Sequence, residues 1–181
     1  RPSTGVKSML NNPFFDQIKP INITDVLRYV DQETGFLDNF EHVLPVQSKG
    51  RANVNDLLAV IIGNGTNYGL YGMANISDRA YDQLKGIQAN YLRPETLNNA
   101  NDVINNSVAR LAIFKHYNIQ EDLIHASADG QKFESRLETF KTRYSSKYFG
   151  TNKGVSAITL IANHAALNAK VIGSNEHESH Y

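Results

Sequence analysis

Cysteine is absent from this 181-residue sequence, which excludes a disulfide framework and any thiolate metal site and fits a reducing compartment such as the cytoplasm. Long apolar runs are missing as well. The longest, Leu57 to Ile62 and Ala157 to Ala162, fall far short of the roughly 20 residues needed to cross a bilayer, so no membrane span is expected. The sequence opens on Arg1-Pro2-Ser3-Thr4-Gly5, with neither an initiator Met nor the apolar core of a secretory signal. It closes on Tyr181 directly after Glu176-His177-Glu178-Ser179-His180. Both ends read as those of a piece cut from a longer chain. Without a signal segment, the Asn-X-Ser/Thr triplets at Asn22, Asn64, Asn75 and Asn105 are accidents of an Asn-rich sequence and not glycosylation sites.

Net charge is lacking too: 18 basic side chains balance 18 acidic ones, whereas a typical DNA-binding domain is basic. The distribution is less even. From Lys132 to Lys153 the cations are Lys132, Arg136, Lys141, Arg143, Lys147 and Lys153, against only Glu134 and Glu138. That one stretch is strongly positive, and the remainder of the chain must be negative to the same extent.

What is present in the first two thirds is helical patterning. Thr24 is a suitable N-cap for a helix of about three turns carrying Val26, Leu27 and Val30, which Gly35 interrupts. Asn53 or Asn55 can cap the run Leu57 to Ile62, apolar all round and therefore buried, which stops at Gly63 and Gly65. Ser77 is placed to cap a helix from Asp78 to Leu92 with Tyr81, Leu84, Gln88 and Tyr91 on one face. Pro94 suits the first position of a further helix, with Leu97, Ile104, Val108, Leu111 and Ile113 on one side as far as His116.

After Asp122 the period changes. Leu123 to Ala128 is short, stops at Asp129-Gly130, and suits a strand. Val155 to Ala162 is β-branched and apolar on both faces, as in a strand covered from both sides. Asn163 to Asn168 reads as a turn and Ala169 to Ile172 as a return strand. The expected fold class is α+β, with helices followed by three antiparallel strands.

Three groups of residues invite chemistry. Asp129 is expected at the C-terminal end of the first strand, flanked by the small Ala128 and Gly130. Its carboxylate there suits Mg²⁺, a hard ion that takes oxygen ligands, although an Asp-Gly pair is also a common turn. The cations from Lys132 to Lys153 interleave with Phe133, Phe140, Tyr144, Tyr148 and Phe149. Such a stretch can neutralise phosphates and stack on bases, or can be a solvated hairpin whose aromatics pack beneath Lys and Arg stems. Glu176, His177, Glu178 and His180, with His164 and His125, raise a zinc reading, but the spacing is not that of an H-E-x-x-H helix. Surface polar residues, or contacts to a missing part of the domain, fit them better.

Four stretches in order carry a resemblance. Thr66-Asn67-Tyr68-Gly69-Leu70 with Met73-Ala74, Tyr91-Leu92-Arg93-Pro94-Glu95-Thr96-Leu97, Ser127-Ala128-Asp129-Gly130-Gln131-Lys132-Phe133 and Asn175 to Tyr181 are similar to segments of the transposases of class II replicative transposons, the Tn-three family. The resemblance runs from about residue 20 to the end. It implies a DDE enzyme of RNase H-like fold in a bacterial cytoplasm, acting on transposon ends and target DNA as a homo-oligomer when full length. Two Asp and one Glu would hold two Mg²⁺ ions, the first Asp matching Asp129 and the other two lying outside this chain. Residues 1–122 would be a helical segment preceding the catalytic core, and 123–181 the start of an incomplete RNase H-like domain, inactive and unable to bind metal tightly by itself. The rival reading is a non-catalytic DNA-binding or protein-interaction module in which Asp129 is a turn residue. For the fold, Leu123 to Ala128, Val155 to Ala162 and Ala169 to Ile172 should pair as neighbouring strands, the second and third antiparallel.

Overall fold

The computed structural model describes residues 19–46, 50–120, 123–163 and 165–176. They fall into two compact units, one drawn from Arg1–Glu33 and Asn53–Gln88 and the other from Thr34–Ala52 and Ala89–Tyr181.

The first unit is helical. Helix α1 spans Ile23–Thr34 and starts earlier than the sequence suggests. The Asn22 carbonyl accepts the amides of Asp25 at 3.0 Å and Val26 at 3.1 Å, so Thr24 lies inside the first turn and not at the cap. Gly35, at φ 66°, follows the last turn in the left-handed conformation that glycine adopts without a Cβ clash. Helix α2, Val54–Gly65, begins as expected: the Asn53 side chain accepts from the amides of Asn55 at 2.9 Å and Asp56 at 3.3 Å. Leu57, Leu58, Ala59 and Val60 are buried. Asp56 is buried with them, where Arg79 pairs with it at 3.0 Å and Gln83 donates a hydrogen bond, so the charge is compensated.

The next helix has no counterpart in the sequence pattern. Helix α3, Gly69–Ile76, is entered through Asn67 and Gly69, both at positive φ. Ser77 belongs to its end: its hydroxyl donates to the Met73 carbonyl at 2.7 Å instead of capping a helix from Asp78. Helix α4 consequently begins at Tyr81 and runs to Tyr91. Its Leu84 is fully buried, while Tyr81, expected on the same apolar face, is exposed.

In the second unit a 3₁₀ turn at Phe36–Asn39 supplies the buried Phe36 and Leu37. Helix α5, Pro94–Ala109, has Pro94 where its missing N–H costs nothing. It stops at Ala109, short of His116, and a 3₁₀ segment Ala112–Tyr117 follows. The expected apolar side is used only in part, with Ile104 and Val108 half-buried. Leu97, Leu111 and Ile113 are exposed, whereas Thr96 and Ala100 are buried. Small residues on this stripe let α5 pack closely on the Phe36–Asn39 turn and on the last strand. Asn101 and Asn105 donate to the Ala166 carbonyl of that strand at 3.0 and 2.8 Å.

The sheet has four strands, β1 Ala126–Glu134, β2 Arg143–Tyr144, β3 Lys153–Ala162 and β4 Ala165–Gly173, with a short helix α6, Ser146–Phe149, between β2 and β3. All pairings are antiparallel and all involve β3. Because β1 and β4 both pair along residues 155–162, they occupy opposite edges of β3, and β2 continues the β4 edge against Lys153 and Gly154. The expected neighbours are thus neighbours, but their bounds move. Leu123 and Ile124 lie outside β1 and are exposed, while β1 continues past Asp129 to Glu134. Asp129-Gly130 is therefore not a stop, because β3 offers a ladder partner to every residue as far as Glu134. The return strand starts at Ala165, so the turn expected to reach Asn168 is confined to the residues around Asn163, which sits at φ 47°. Cover of β3 is unequal: Gly154, Ser156 and Ala162 are buried on one face, while Ile161 on the other is exposed.

Gly154 is the tightest point of the sheet. A Cβ there would collide with the Phe149 ring and the Phe133 carbonyl, the latter being backbone that cannot give way. Gly154→Ala should lower unfolding stability by about 1–3 kcal/mol, the usual size of an overpacking defect, as read by urea denaturation; an unchanged midpoint would show that the strand can shift.

Candidate functional site

Asp129 is the fourth residue of β1, opposite Thr159, which in turn lies opposite Ala169 of β4. This corrects the expectation that it projects from a strand end at the rim of the sheet. Directly paired residues share a face, so the carboxylate stands on a surface whose cross-strand neighbours are small. It is exposed, and its one described hydrogen bond is local, from the Gly130 amide at 2.9 Å. Most of its acceptor capacity remains open. The chemistry fits a ligand to a hard divalent cation, but among the described residues no three His, Asp or Glu side chains converge where a metal could be held. The donor set is that of part of a metal site. His164, His177, Glu178 and His180 lie outside the described residues.

The six cations of the basic stretch do not stand alike. Lys132 is on the opposite face of β1 from Asp129, since strand side chains alternate. Its ammonium donates to Ser156 Oγ at 2.9 Å and to the Ser174 carbonyl at 3.0 Å, and lies 4.9 Å from the centre of the Tyr148 ring. Ser156 and Ser174 are buried. Lys132 thus fastens β1 to β3 and to the residue after β4. Arg143 donates to the carbonyls of Phe140 at 2.8 Å and Thr142 at 2.9 Å. Lys153 pairs with Glu138 and lies 4.8 Å from the centre of the Tyr144 ring; the hydrogen bond to Glu138 holds its ammonium above the ordinary lysine value.

Both acidic residues of the stretch are engaged internally. Asn152 donates to Glu134 at 2.9 Å and Lys153 takes Glu138, and these side chains line one polar cavity of about 320 Å³ with Arg136 and Tyr144. Arg136 and Lys141 are exposed and have no hydrogen bond or ion pair among the described residues. Lys147 lies 5.1 Å from the centre of the Tyr148 ring and is exposed. Neither of the two readings of the stretch describes it whole: part is internal structure and part is free cation.

Sequence reasoning missed Ser156 and Ser174 as the partners that fix Lys132. A hydroxyl within the otherwise apolar Val155 to Ala162 run was the available signal, since a polar group buried in a strand needs a partner. It also passed over Leu137, which stands 77% exposed near an almost fully exposed Phe140.

Known proteins resemble this chain in sequence over most of its length. The model of the Tn3 transposase DDE domain matches residues 25–181. The chain is 30% identical over 149 residues to the transposase for transposon gamma-delta of Escherichia coli (strain K12), covering 81% of this chain and 15% of that protein. It is 30% identical over 166 residues to the transposase for transposon Tn501 of Pseudomonas aeruginosa, covering 89% and 16%. To the transposase for transposon Tn2501 of Escherichia coli it is 33% identical over 180 residues, covering 93% and 17%. The chain therefore spans about a sixth of the length of these curated relatives.

The Lys132 arrangement separates anchoring from surface charge. Lys132→Ala strands a buried serine hydroxyl and a carbonyl, and hydrogen bonds to charged groups are worth about 1.5–3 kcal/mol, so a loss of that order is expected in denaturant unfolding. Lys141→Ala should stay within about 0.5 kcal/mol of the parent. Equal effects of the two would remove the anchoring role.

Proposed function

This chain belongs to the Tn3 transposase DDE domain family, and on that premise we propose that it begins the RNase H-like catalytic region of a protein that cleaves transposon-end DNA and transfers the 3′ ends to a target. The observation that carries the reading is the placement of Asp129: an open carboxylate within the matched region, on a sheet surface with small neighbours. The helices followed by an antiparallel sheet suit an incomplete domain of that fold. In this proposal residues 1–122 precede the catalytic core and 123–181 start it, and the second Asp and the Glu come from outside these residues.

Asp129 is the residue of this chain that would help to hold divalent metal. When bound, a pair of Mg²⁺ ions supplies the Lewis acidity that activates the attacking oxygen and stabilises the leaving 3′-oxygen. The chain's own part is positional. The β1–β3 register sets the carboxylate on one face of the sheet, and Lys132, fastened on the other, does not neutralise it. Arg136, Lys141 and Lys147 offer charge for DNA phosphates, with Lys132, Arg143 and Lys153 holding the segment that presents them. Transposon ends and target DNA would be the partners, in a bacterial cytoplasm and with a homo-oligomeric full-length protein.

Two measurements test this. Asp129→Asn in the full-length protein should abolish Mg²⁺- or Mn²⁺-dependent cleavage and strand transfer of labelled transposon-end DNA, because misplaced reactive groups can cost about 10²-fold or more. The 181-residue chain by itself should show neither activity. A folded Asp129→Asn protein of full activity, or metal-dependent cleavage by the chain alone, would put the active site elsewhere. Replacing Arg136, Lys141 and Lys147 together by Ala should flatten the salt dependence of DNA binding, by a log–log slope of up to about 0.9 for each phosphate that is no longer neutralised. An unaltered slope would return them to plain solvated surface.

A further inference from the structure

Between β1 and β2 the chain makes a turn whose rigidity and whose exposed side chain are at odds. The Thr142 amide donates to the Thr139 carbonyl at 3.1 Å, closing a four-residue turn with Phe140 and Lys141 at its centre. The Thr142 hydroxyl, on a buried residue, accepts the Thr139 amide at 3.0 Å and donates to the Thr139 carbonyl at 2.9 Å. The Arg143 guanidinium grips the Phe140 carbonyl at 2.8 Å, and the Ser135 hydroxyl donates to the Leu137 carbonyl at 2.7 Å. Backbone and side chains together fix the loop. Yet the Phe140 ring that it carries is 91% exposed.

A large apolar ring held out in water on a fixed turn is prepared to be covered by something outside the described residues. The covering chemistry is constrained by what stands beside it. Lys141 follows it directly, Arg136 precedes it in the same loop, and of the two nearby carboxylates Glu138 is paired with Lys153 while Glu134 accepts from the Asn152 amide. A partner that combines negative charge with flat apolar faces complements this surface. DNA has both, but a paired and stacked duplex hides its base faces. The ring can meet a base only where the stack is opened.

Resting on the reading that this segment faces DNA, we propose that Phe140 is a stacking wedge: the fixed turn inserts its ring against an unstacked base of the DNA on which the parent protein acts, while Lys141 and Arg136 hold the flanking phosphates. Apolar side chains used in this way open base steps and kink duplexes, and aromatic stacking on a free base is tolerant of sequence because every base has a π-face.

The test uses the full-length protein and two transposon-end duplexes, one fully paired and one carrying a two-nucleotide mismatch bubble, the bubble scanned along the end. Phe140→Ala should weaken binding to the best-placed bubble by about tenfold, a typical loss for one base–aromatic stack, and should weaken binding to the paired duplex less. Phe140→Trp should restore the preference. Because no charge is removed, the salt slope should stay that of the parent, which separates this result from weakened phosphate neutralisation. Equal affinities of the Phe140→Ala and parent proteins for every bubble, or equal losses on paired and mismatched DNA, would overturn the wedge. Failure of the underlying reading would show separately, as an unaltered salt slope in the Arg136, Lys141 and Lys147 triple variant. A ring so exposed can be removed without unfolding the chain, and circular dichroism of the variants checks that it has been.

Discussion

Backbone pairing to a single strand, Lys153–Ala162, organises the sheet of the second unit. β1 uses one of its edges and β4, extended by β2, the other, so the position of every side chain on the sheet is referred to this one segment. The consequence for chemistry is direct. Strand side chains alternate with a period of two, and a slip of one residue would transfer each of them to the opposite face. In the observed register Asp129 stands with Thr159 and Ala169, and Lys132 stands with Ser156. Gly154 and the Lys132 hydrogen bonds resist such a slip, the first by leaving no room for another residue and the second by rewarding one alignment.

Charge in the segment between β1 and β3 is sorted by the same scaffold. The stretch carries six cations and two carboxylates, and a count alone would spread their effect evenly. The structure commits Glu134 and Glu138 to Asn152 and Lys153, and it ties Lys132 and Arg143 to backbone carbonyls. Arg136, Lys141 and Lys147 are exposed and make no hydrogen bond or ion pair among the described residues, so they are free to move onto an approaching polyanion, whereas Lys132 and Arg143 keep their charge but are held in place. Screening limits exposed charges to about 8–10 Å at physiological ionic strength, so such a polyanion meets the local excess of cations in this stretch before it meets the formal charge of the whole chain, which is zero.

Much of this architecture was legible where one local rule dominates. Asn53 before an apolar run, Pro94 at a helix start and Gly35 after a helix each act through the backbone within a few residues, and each holds in the structure. Errors arose where a tertiary partner overrides local preference. Asp129-Gly130 reads as a turn by itself, but a neighbouring strand supplies a ladder partner and carries β1 five residues further to Glu134. Ser77 has the composition of an N-cap, yet the preceding helix claims it. Leu97, Leu111 and Ile113 form an apolar pattern that the packing of α5 does not use, because close approach favours the small Thr96 and Ala100. The candidate site was half legible for the same reason: Asp129 was marked by its small flanking residues, but which cations are free depends on partners as far away in sequence as Ser174.

The spacing between Asp129 and the Phe140 turn fixes how the two would address one DNA. Five residues separate Asp129 from Glu134 at the end of β1, and a strand rises about 3.3 Å per residue, which gives roughly 17 Å. β2, just after the turn, pairs with β3 at Gly154, the residue opposite Glu134, so the turn stands near that end of the sheet. Phe140 lies six residues beyond that end of β1, so on the proposed reading the ring and the carboxylate would address separate stretches of one DNA, and the wedge would act by opening and bending the duplex and not by touching the reacting atoms.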